Sequence, residues 1–371
     1  MNIPLVDLKS QYLSIKNEID AAVQDVINSS AFILGKAVHD FEDAFAKAHN
    51  VKHCIAVGSG TDALHAALWA MGITAGDEVV TVPYTFIATV EAISLTGAKP
   101  VFVDIEPNTY SMDPAKIEKV ITPKTKAIIP VHLYGHPAMM DKISEIARRH
   151  KLILIEDAAQ AHLAKFQSKF VGEFGAATCF SFYPGKNLGA YGEAGAIITD
   201  DDALAKKLCQ LRDHGQVEKY NHAFWGHNYR MDGIQGAVLG VKLNYLQTWT
   251  DRRRSIANLY RKLLTGIGDL IMPFELPGSY HVYHLFVLRT KLRDTLQKFL
   301  SEKGISTGLH YPKPLHLQLA YSHLDYKAGD FPISEICAQE CLSLPIYPEL
   351  TDIQVNHIAE EVKKFYKSGK K

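Results

Sequence analysis

The chain has no excess of charge of either sign. Its 371 residues include 40 lysines and arginines and 40 aspartates and glutamates, so the formal net charge is zero. Without a field of one sign, nothing favours a nucleic acid or an anionic membrane surface as a partner. We therefore expect neither of these partners and predict that the protein acts on small molecules.

Long hydrophobic runs are also missing. The first residues, MNIPLVDLKSQY, show no basic segment followed by an apolar one, and no apolar stretch approaches the length that spans a membrane. With 47% hydrophobic residues the composition is that of a folded globular chain. We expect a cytoplasmic protein.

Cysteine is scarce and has no pairing pattern. The five cysteines are an odd number in a long chain, and no CxxC pair is present, which argues against a disulfide scaffold. Cys337 and Cys341 are four residues apart on a predicted helix. We interpret them as small apolar core residues, with metal ligation as the alternative. The sequence predicts no metal site.

The first two thirds of the chain alternate between predicted strands and predicted helices. The strands are Cys54–Val57, Glu78–Val82, Pro100–Val103, Ala127–Val131 and Leu152–Ile155. Such alternation indicates βαβ units and a mainly parallel sheet with helices on both faces. The fold class is therefore α/β, and residues 1–248 are predicted to form a large domain.

From Thr250 the pattern changes. Helices are predicted near Asp251–Thr265, Arg293–Lys303 and Asp352–Tyr366, with strands near Tyr283–Leu288 and Ile305–Leu309. A chain of this length has room for two domains. We predict that residues 249–371 form a smaller α+β domain.

One carboxylate and one amine stand out in the middle of the chain. Asp157 ends a buried-strand pattern, and Lys186 follows the aromatic strand Cys179–Tyr183 in a turn before a glycine-rich loop. A lysine reacts with a carbonyl only as the free amine, and a buried aspartate can keep a pyridine nitrogen protonated. Together they suggest pyridoxal phosphate (PLP), although a helix-capping aspartate and a solvated lysine remain the ordinary alternatives.

An anion site is predicted after the first strand. The strand Cys54–Val57 is followed by the small-residue turn GSGTDA and a helix that reaches Met71. Free N–H groups and the positive end of the helix meet an anion in such an arrangement. The turn also matches the dinucleotide pattern GxGxxA, but no acidic residue ends a second strand about 20 residues later. A single phosphate is the favoured ligand, and a turn chosen for packing is the alternative.

An aromatic side chain is predicted at the end of another strand. Phe86 closes the run Pro83–Phe86 directly after the strand Glu78–Val82. A flat ring could stack there, and a core position is an equally good interpretation.

Six blocks in this order carry a resemblance that covers essentially the whole chain: GSGTDAL, VPYTFIAT, IEDAAQAH, SFYPGKNLGAYGEAGAI, NYRMDGIQGA and HYPKPLH. They resemble the DegT/DnrJ/EryC1 family of PLP-dependent nucleotide-sugar aminotransferases. The resemblance implies an aspartate aminotransferase-like fold of type I, with a mostly parallel sheet flanked by helices and a smaller α+β domain. It also implies a homodimer with shared active sites.

By this resemblance, Lys186 looks like the catalytic lysine that forms the Schiff base, and Asp157 like the partner of the pyridinium nitrogen. The cofactor-binding residues that the resemblance implies are Gly60, Thr61, Phe86, Asp157, Gln160, Ser181, Lys186 and Asn228. Gly60, Thr61 and Ser181 would hold the phosphate, with Asn228 reaching across from a second subunit. Gln160 would bond the ring hydroxyl, and Phe86 would stack on the ring.

The same resemblance implies a substrate class. Lysine at position 186, where some family members carry histidine, argues for transamination. The loop YPGKNLGAYGEAGA is similar to that of enzymes that aminate the 3-keto carbon of dTDP-linked 6-deoxyhexoses, with L-glutamate as donor and 2-oxoglutarate as product. Leu163 and Ala194 depart from the family pattern and concern the sugar contacts. A 4-keto sugar aminotransferase and a PLP-binding regulator without turnover remain alternatives.

Three further residues are candidates for contact with the sugar. Tyr183 lies beside the lysine loop, and His310 and Tyr311 lie in the segment HYPKPLH, which we expect to cover a cleft. Ordinary packing of amphipathic aromatic residues is the alternative for each of them.

Overall fold

Helices and strands alternate along most of the chain in the computed structural model, which describes residues 1–368. Its α-helices are α1 (Leu8–Ser14), α2 (Lys16–Ser29), α3 (Gly35–Ala48), α4 (Gly60–Ala70), α5 (Ala88–Leu95), α6 (Pro114–Ile117), α7 (Met140–His150), α8 (Asp202–Leu211), α9 (Gly233–Leu243), α10 (Leu246–Leu264), α11 (Arg293–Glu302), α12 (Pro332–Glu340) and α13 (Asp352–Lys367). None of these helices combines the length and the apolar character that crossing a membrane requires.

The strands, in chain order, are β1 (His53–Val57), β2 (Glu78–Thr81), β3 (Lys99–Phe102), β4 (Thr125–Ile128), β5 (Ile153–Asp157), β6 (Lys165–Phe166), β7 (Lys169–Phe170), β8 (Ala177–Ser181), β9 (Gly195–Thr199), β10 (Gln216–Glu218), β11 (Asn221–His222), β12 (Ser279–Tyr280), β13 (Phe286–Arg289) and β14 (Cys341–Leu344). Short 3₁₀ turns cover Glu118–Val120, Leu133–Gly135, Leu315–Leu317 and Leu319–Leu324.

Seven strands form the central sheet in the order β1-β9-β8-β5-β4-β2-β3. The pairs β8/β5, β5/β4, β4/β2 and β2/β3 are parallel, whereas β9 runs antiparallel to both of its neighbours. Strands β1, β2, β5 and β8 therefore point the same way, and their carboxyl ends meet at one edge. The predicted α/β class with a mainly parallel sheet is confirmed.

Helices cover the sheet because their apolar residues fall on one face. On α3, Val38, Phe41 and Phe45 are fully buried and recur at helical spacing. The ring of Phe45 lies 5.1 Å from that of Phe180 and 5.3 Å from that of Phe182, both edge-on. Burial of each such side chain stabilises the fold by roughly 1.5–3 kcal/mol, and it fixes the strand that leads to Lys186.

The C-terminal part has its own core. Strand β13 pairs antiparallel with β14, and α10 and α13 bury Tyr260 and Phe365 against Phe286. Ile3, from the beginning of the chain, lies in the same cluster. The predicted division at residue 248 falls inside α10 and stays a prediction.

Two predicted elements are wrong. Ile305–Leu309 has the composition of a strand, but it makes only isolated bridges, between Ile305 and Ile3 and between Gly308 and Ser343. Beyond Gly308 the contact with β14 is made by side chains, since Nδ1 of His310 bonds Oγ of Ser343, and no backbone ladder forms. Cys337 and Cys341 do not share a helix, because α12 ends at Glu340 and Cys341 begins β14.

Candidate active site

A cavity of about 740 Å³ opens where the carboxyl ends of β1, β2, β5 and β8 meet. Ligands bind at this edge in open α/β sheets. The sequence-predicted site residues that line the cavity are Gly60, Thr61, Phe86, Asp157, Gln160, Ser181, Tyr183, Lys186, His310 and Tyr311. Asn228 does not line it.

Lys186 lies in a tight loop after β8. The loop folds back on itself, so that a side chain on Gly189 would come within 2.3 Å of the carbonyl of Pro184. The backbone N–H of Lys186 donates to the carbonyl of Tyr183 at 2.8 Å, but within residues 1–368 its amine has no hydrogen-bond partner. Burial lowers the pKa of Lys186 to about 8, against the opposing charge of Asp157, so the free amine is accessible near neutral pH.

Asp157 is the last residue of β5 and is 5% exposed. Its Oδ2 accepts a hydrogen bond from Oγ1 of Thr89 at 2.7 Å, and its Oδ1 accepts one from the N–H of Ala159 at 3.1 Å. Burial raises the pKa of Asp157, while both hydrogen bonds and the charge of Lys186 oppose that rise. The carboxyl group is thus held rigidly in a dry site where a cationic partner would be favourable.

The start of α4 forms a cradle with Ser181. The first N–H groups of a helix lack intrahelical partners, so those of Gly60 and Thr61 are free to bind an anion at the positive end of the helix. A Cβ on Gly60 would come within 2.6 Å of the Cβ of Ser181 and 3.2 Å of its Oγ. Only glycine leaves this space open.

Gln160, Tyr311 and Phe86 form one wall of the cavity. Oε1 of Gln160 accepts from the N–H of Tyr134 at 2.6 Å, and Nε2 donates to the phenol of Tyr311 at 3.2 Å. Among residues 1–368, this arrangement leaves one N–H of the Gln160 amide without a partner. The ring of Phe86, 54% exposed, lies 5.8 Å from that of Tyr311, so Phe86 is not a core residue.

His310 and Tyr183 complete the predicted set. The carbonyl of His310 accepts hydrogen bonds from the phenols of Tyr84 and Tyr134, and its Nδ1 lies 2.8 Å from Oγ of Ser343. Burial, with the nearby charge of Lys186, lowers the pKa of His310 to about 4. Tyr183 is 56% exposed at the edge of the cavity.

Asn228 lies apart from the other predicted residues. It is exposed, and its backbone makes an isolated bridge with that of Asp213. Its predicted role required a second subunit, and that role stays a prediction.

Several cavity residues were missed by the sequence analysis. They include Thr89, His132, Glu193, Arg253 and His284. Thr89 belongs to the block VPYTFIAT, in which Thr85 and Thr89 are four residues apart and their hydroxyls lie 3.0 Å apart. That spacing was the available signal. His132, Arg253 and His284 gave none, because only the folded chain brings them to the cavity.

These side chains fit PLP. An unpaired amine suits its aldehyde, a buried carboxylate its ring nitrogen, the helix start its phosphate and an accessible aromatic ring its flat face. The chemistry of the donor set thus agrees with the cofactor before any relative is considered.

Comparison with known proteins decides the family. The model of the DegT/DnrJ/EryC1/StrS aminotransferase family matches residues 13–363. The chain belongs to this family. Members are PLP-dependent sugar aminotransferases, and so the predicted fold type, enzyme class and cofactor are confirmed.

Three relatives illustrate the range within the DegT/DnrJ/EryC1/StrS family. A Geobacillus stearothermophilus protein named "Pleiotropic regulatory protein" is 50% identical, over 99% of both chains. The dTDP-3-amino-3,6-dideoxy-α-D-galactopyranose transaminase of Aneurinibacillus thermoaerophilus is 44% identical, over 98% of this chain and 99% of that one. The crystal structure of Streptomyces venezuelae DesV in complex with a ketimine intermediate superposes with a TM-score of 0.97 at 42% identity, over 98% of both chains.

Proposed function

We propose that the protein transfers the amino group of L-glutamate to the 3-keto carbon of a dTDP-linked 3-keto-6-deoxyhexose, which gives a dTDP-3-amino-3,6-dideoxyhexose. The observation that carries the amine-transfer step is the unpaired amine of Lys186, which shares one cavity with the buried carboxyl group of Asp157. The substrate class is supported by the 44% identical relative, which is named for a 3-amino-3,6-dideoxy sugar.

Lys186 and Asp157 divide the chemistry between them. PLP, when bound, supplies an aldehyde and a ring that withdraws electrons from the reacting carbon. Asp157 would hold a proton on the ring nitrogen of bound PLP, and the hydrogen bond from Thr89 keeps the carboxylate in place. The Lys186 amine, with its pKa lowered to about 8, can accept a proton from carbon and return it near neutral pH.

The other predicted site residues are proposed to bind and orient PLP. We assign the phosphate to Gly60, Thr61 and Ser181, the ring hydroxyl to the free N–H of Gln160 and the ring face to Phe86. In a homodimer with shared sites, Asn228 of the partner subunit would complete the phosphate site. Closure of the site between two subunits would also exclude water from the reacting amine.

Tyr183, His310 and Tyr311 are proposed to contact the sugar. All three line the cavity that holds Lys186. The substitutions Tyr183→Phe, His310→Ala and Tyr311→Phe are expected to raise KM for the keto-sugar more than KM for glutamate. If all three leave sugar affinity and turnover intact, this assignment is wrong.

The proposal is tested by incubating purified protein and L-glutamate with a panel of 3-keto and 4-keto nucleotide sugars. We expect 2-oxoglutarate to appear with the dTDP-linked 3-keto-6-deoxyhexose, and NMR of the product to locate nitrogen on C3. Nitrogen on C4 would establish the alternative, a 4-keto sugar aminotransferase. The 50% identical relative bears a regulatory name, and no conversion of glutamate with any sugar would favour a cofactor-binding regulator.

A further inference from the structure

His284 lies next to the lysine loop, and among residues 1–368 only one of its two ring nitrogens has a hydrogen-bond partner. Its Nδ1 lies 3.3 Å from Oδ1 of Asn187, the residue that follows Lys186. Within residues 1–368, Nε2 has no hydrogen-bond partner, and His284 lines the same cavity as Lys186. Which nitrogen carries the proton determines what the ring offers to a ligand.

The orientation of Asn187 fixes the tautomer of His284. Nδ2 of Asn187 lies 2.9 Å from the carbonyl of Val282. A carbonyl only accepts hydrogen bonds, so the NH₂ group of the amide must face it, and the amide oxygen must face His284. Because that oxygen cannot donate, Nδ1 of His284 must carry the proton. Asn187 is only 2% exposed, so its amide group has little freedom to rotate.

The ring is also neutral. Burial and four surrounding groups, the charges of Lys186 and Arg253 and the rings of His162 and His310, hold the pKa of His284 well below its usual value. A neutral imidazole with its proton on Nδ1 has a lone pair on Nε2. His284 therefore brings an uncharged hydrogen-bond acceptor to the cavity.

The backbone behind this acceptor is held rigidly. Nη1 of Arg253 donates to the carbonyls of Tyr283 and His284 at 3.2 Å and to that of Ile346 at 2.9 Å. The imidazole is thus fixed through its Nδ1 on one side and through its own backbone on the other. A group held from two sides is suited to orienting a ligand.

We propose that Nε2 of His284 accepts a hydrogen bond from a hydroxyl group of the keto-sugar, next to the carbon that receives nitrogen. This role rests on the proposed function for the identity of the substrate. A lone pair repels carbonyl, phosphate and carboxylate oxygens, which are themselves acceptors, so among the oxygen groups of the sugar substrate it favours a hydroxyl donor. His284 and Lys186 line the same cavity, so a hydroxyl bound there shares that cavity with the amine. His284 is thereby a substrate-positioning residue.

The tautomer can be tested without any substrate. In protein labelled with ¹⁵N-histidine, NMR is expected to show His284 protonated on Nδ1 and unprotonated on Nε2. His162 is an internal control with the opposite tautomer, because its Nε2 lies 3.0 Å from the carbonyl of Ser181 and must donate. Protonation of His284 on Nε2 at neutral pH would overturn the proposal.

Two substitutions separate the two nitrogens. The amide of His284→Asn can reach Asn187 but not the position of Nε2, whereas that of His284→Gln can place an acceptor near Nε2. Rapid-mixing measurements follow each half-reaction by cofactor absorbance. We expect His284→Asn to lower kcat/KM of the sugar half-reaction by about tenfold, with the glutamate half-reaction within about twofold and His284→Gln retaining most of the activity.

A sugar analogue without the hydroxyl group completes the test. The wild type is expected to lose about tenfold on this analogue, and His284→Asn to lose nothing more. Equal slowing of both half-reactions, or an equal loss on the analogue in both proteins, would overturn the proposal. If the proposed substrate is wrong, the result is different: the wild type reacts with glutamate but not with the 3-keto sugar.

Discussion

Two buried lysines show that burial alone does not identify the reactive amine. Burial lowers the pKa of both Lys186 and Lys242 to about 8. The amine of Lys242 donates to the carbonyl of Gly189 at 2.6 Å and lies 4.1 Å from the centre of the Tyr191 ring. The amine of Lys186 has no such partner in residues 1–368. This difference in hydrogen bonding favours Lys186 as the nucleophile and Lys242 as a structural group.

Removal of the Lys186 amine is expected to abolish most of the activity. Lys186→Ala takes away both the proposed nucleophile and the proposed general base, and we expect kcat to fall by about 10²–10⁴-fold or more. Thermal unfolding should change little, because no hydrogen bond of the amine is lost. A coupled assay for 2-oxoglutarate measures this, and retained turnover at wild-type rate would contradict the assignment.

The lowered pKa of Lys186 predicts how the apoprotein takes up PLP as pH changes. Below a pH of about 8 the amine is mostly protonated, and only its free fraction can attack the aldehyde. The rate of covalent uptake should therefore rise with pH and level off above about 8, instead of near the value of about 10.4 for an ordinary lysine. Stopped-flow absorbance from pH 6 to 10 gives the midpoint, and a midpoint above 10 would refute the lowered pKa.

The hydrogen bond from Thr89 to Asp157 leads to a prediction about the acid limb of the pH–activity profile, where activity is lost as the pH falls. This bond lowers the pKa of the Asp157 carboxyl group. Thr89→Val keeps the shape and removes the donor, so the pKa should rise and activity should be lost at a higher pH than in the wild type. Thr96→Val is a matched control, because the hydroxyl of Thr96 bonds the carbonyl of Ile93 in the last turn of α5 and does not contact Asp157. Identical acid limbs in all three proteins would contradict this role.

At the scale of elements, helix α9 holds the glycine-rich loop that follows Lys186. Gln235 accepts from the N–H of Tyr191 at 2.8 Å, and Lys242 reaches Gly189 from the same helix. A side chain on Gly192 would come within 3.0 Å of Gln235. The loop is thus shaped by a helix that lies more than 40 residues further along the chain.

Lys242→Met is expected to loosen this attachment. The two side chains are similar in size, but the substitution leaves the carbonyl of Gly189 without its donor, which costs about 1–3 kcal/mol of unfolding free energy. Chemical denaturation measures the loss, and affinity for PLP should fall with it. Lys36→Met, at an exposed position, should leave both quantities within experimental error. An unchanged stability of Lys242→Met would show that the contact contributes nothing.

Element types were more predictable than their pairing. Helix α13, at Asp352–Lys367, matches the predicted helix near Asp352–Tyr366 to within one residue, because its apolar residues recur on one face and it ends among basic residues. Ile305–Leu309 begins and ends with an apolar residue and was predicted as a strand, but whether a short run becomes a strand depends on a partner edge elsewhere in the fold. The bond between Asn187 and His284 spans 97 positions, and no local pattern encodes it.

At the scale of the whole molecule, the separation of Asn228 from the cavity gives a test of shared sites. Lys186→Ala and Asn228→Ala should each be poorly active alone. If the sites lie between subunits, a heterodimer of the two variants contains one intact site, and a random mixture should recover about a quarter of wild-type activity. Activity no higher than the sum of the two variants would show that Asn228 acts within its own chain or has no role.

The site residues that the sequence could predict are those at the ends of strands, and the others reach the cavity only by tertiary packing. Gly60, Asp157 and Lys186 each end or follow a strand at one edge of a sheet, so their meeting could be inferred from topology. Arg253 and His284 come from the C-terminal part and reach the cavity only through tertiary packing. The assignment of the sugar to a class depended on resemblance, since spacing alone carries no information on the position of a keto group.

The most direct test of the central claim is reduction of the PLP-loaded protein with borohydride, followed by peptide mass analysis. We expect a single pyridoxyl adduct, on Lys186, and its loss in Lys186→Ala but not in Lys242→Met. An adduct on another lysine, or none in protein that has visibly bound PLP, would contradict the account.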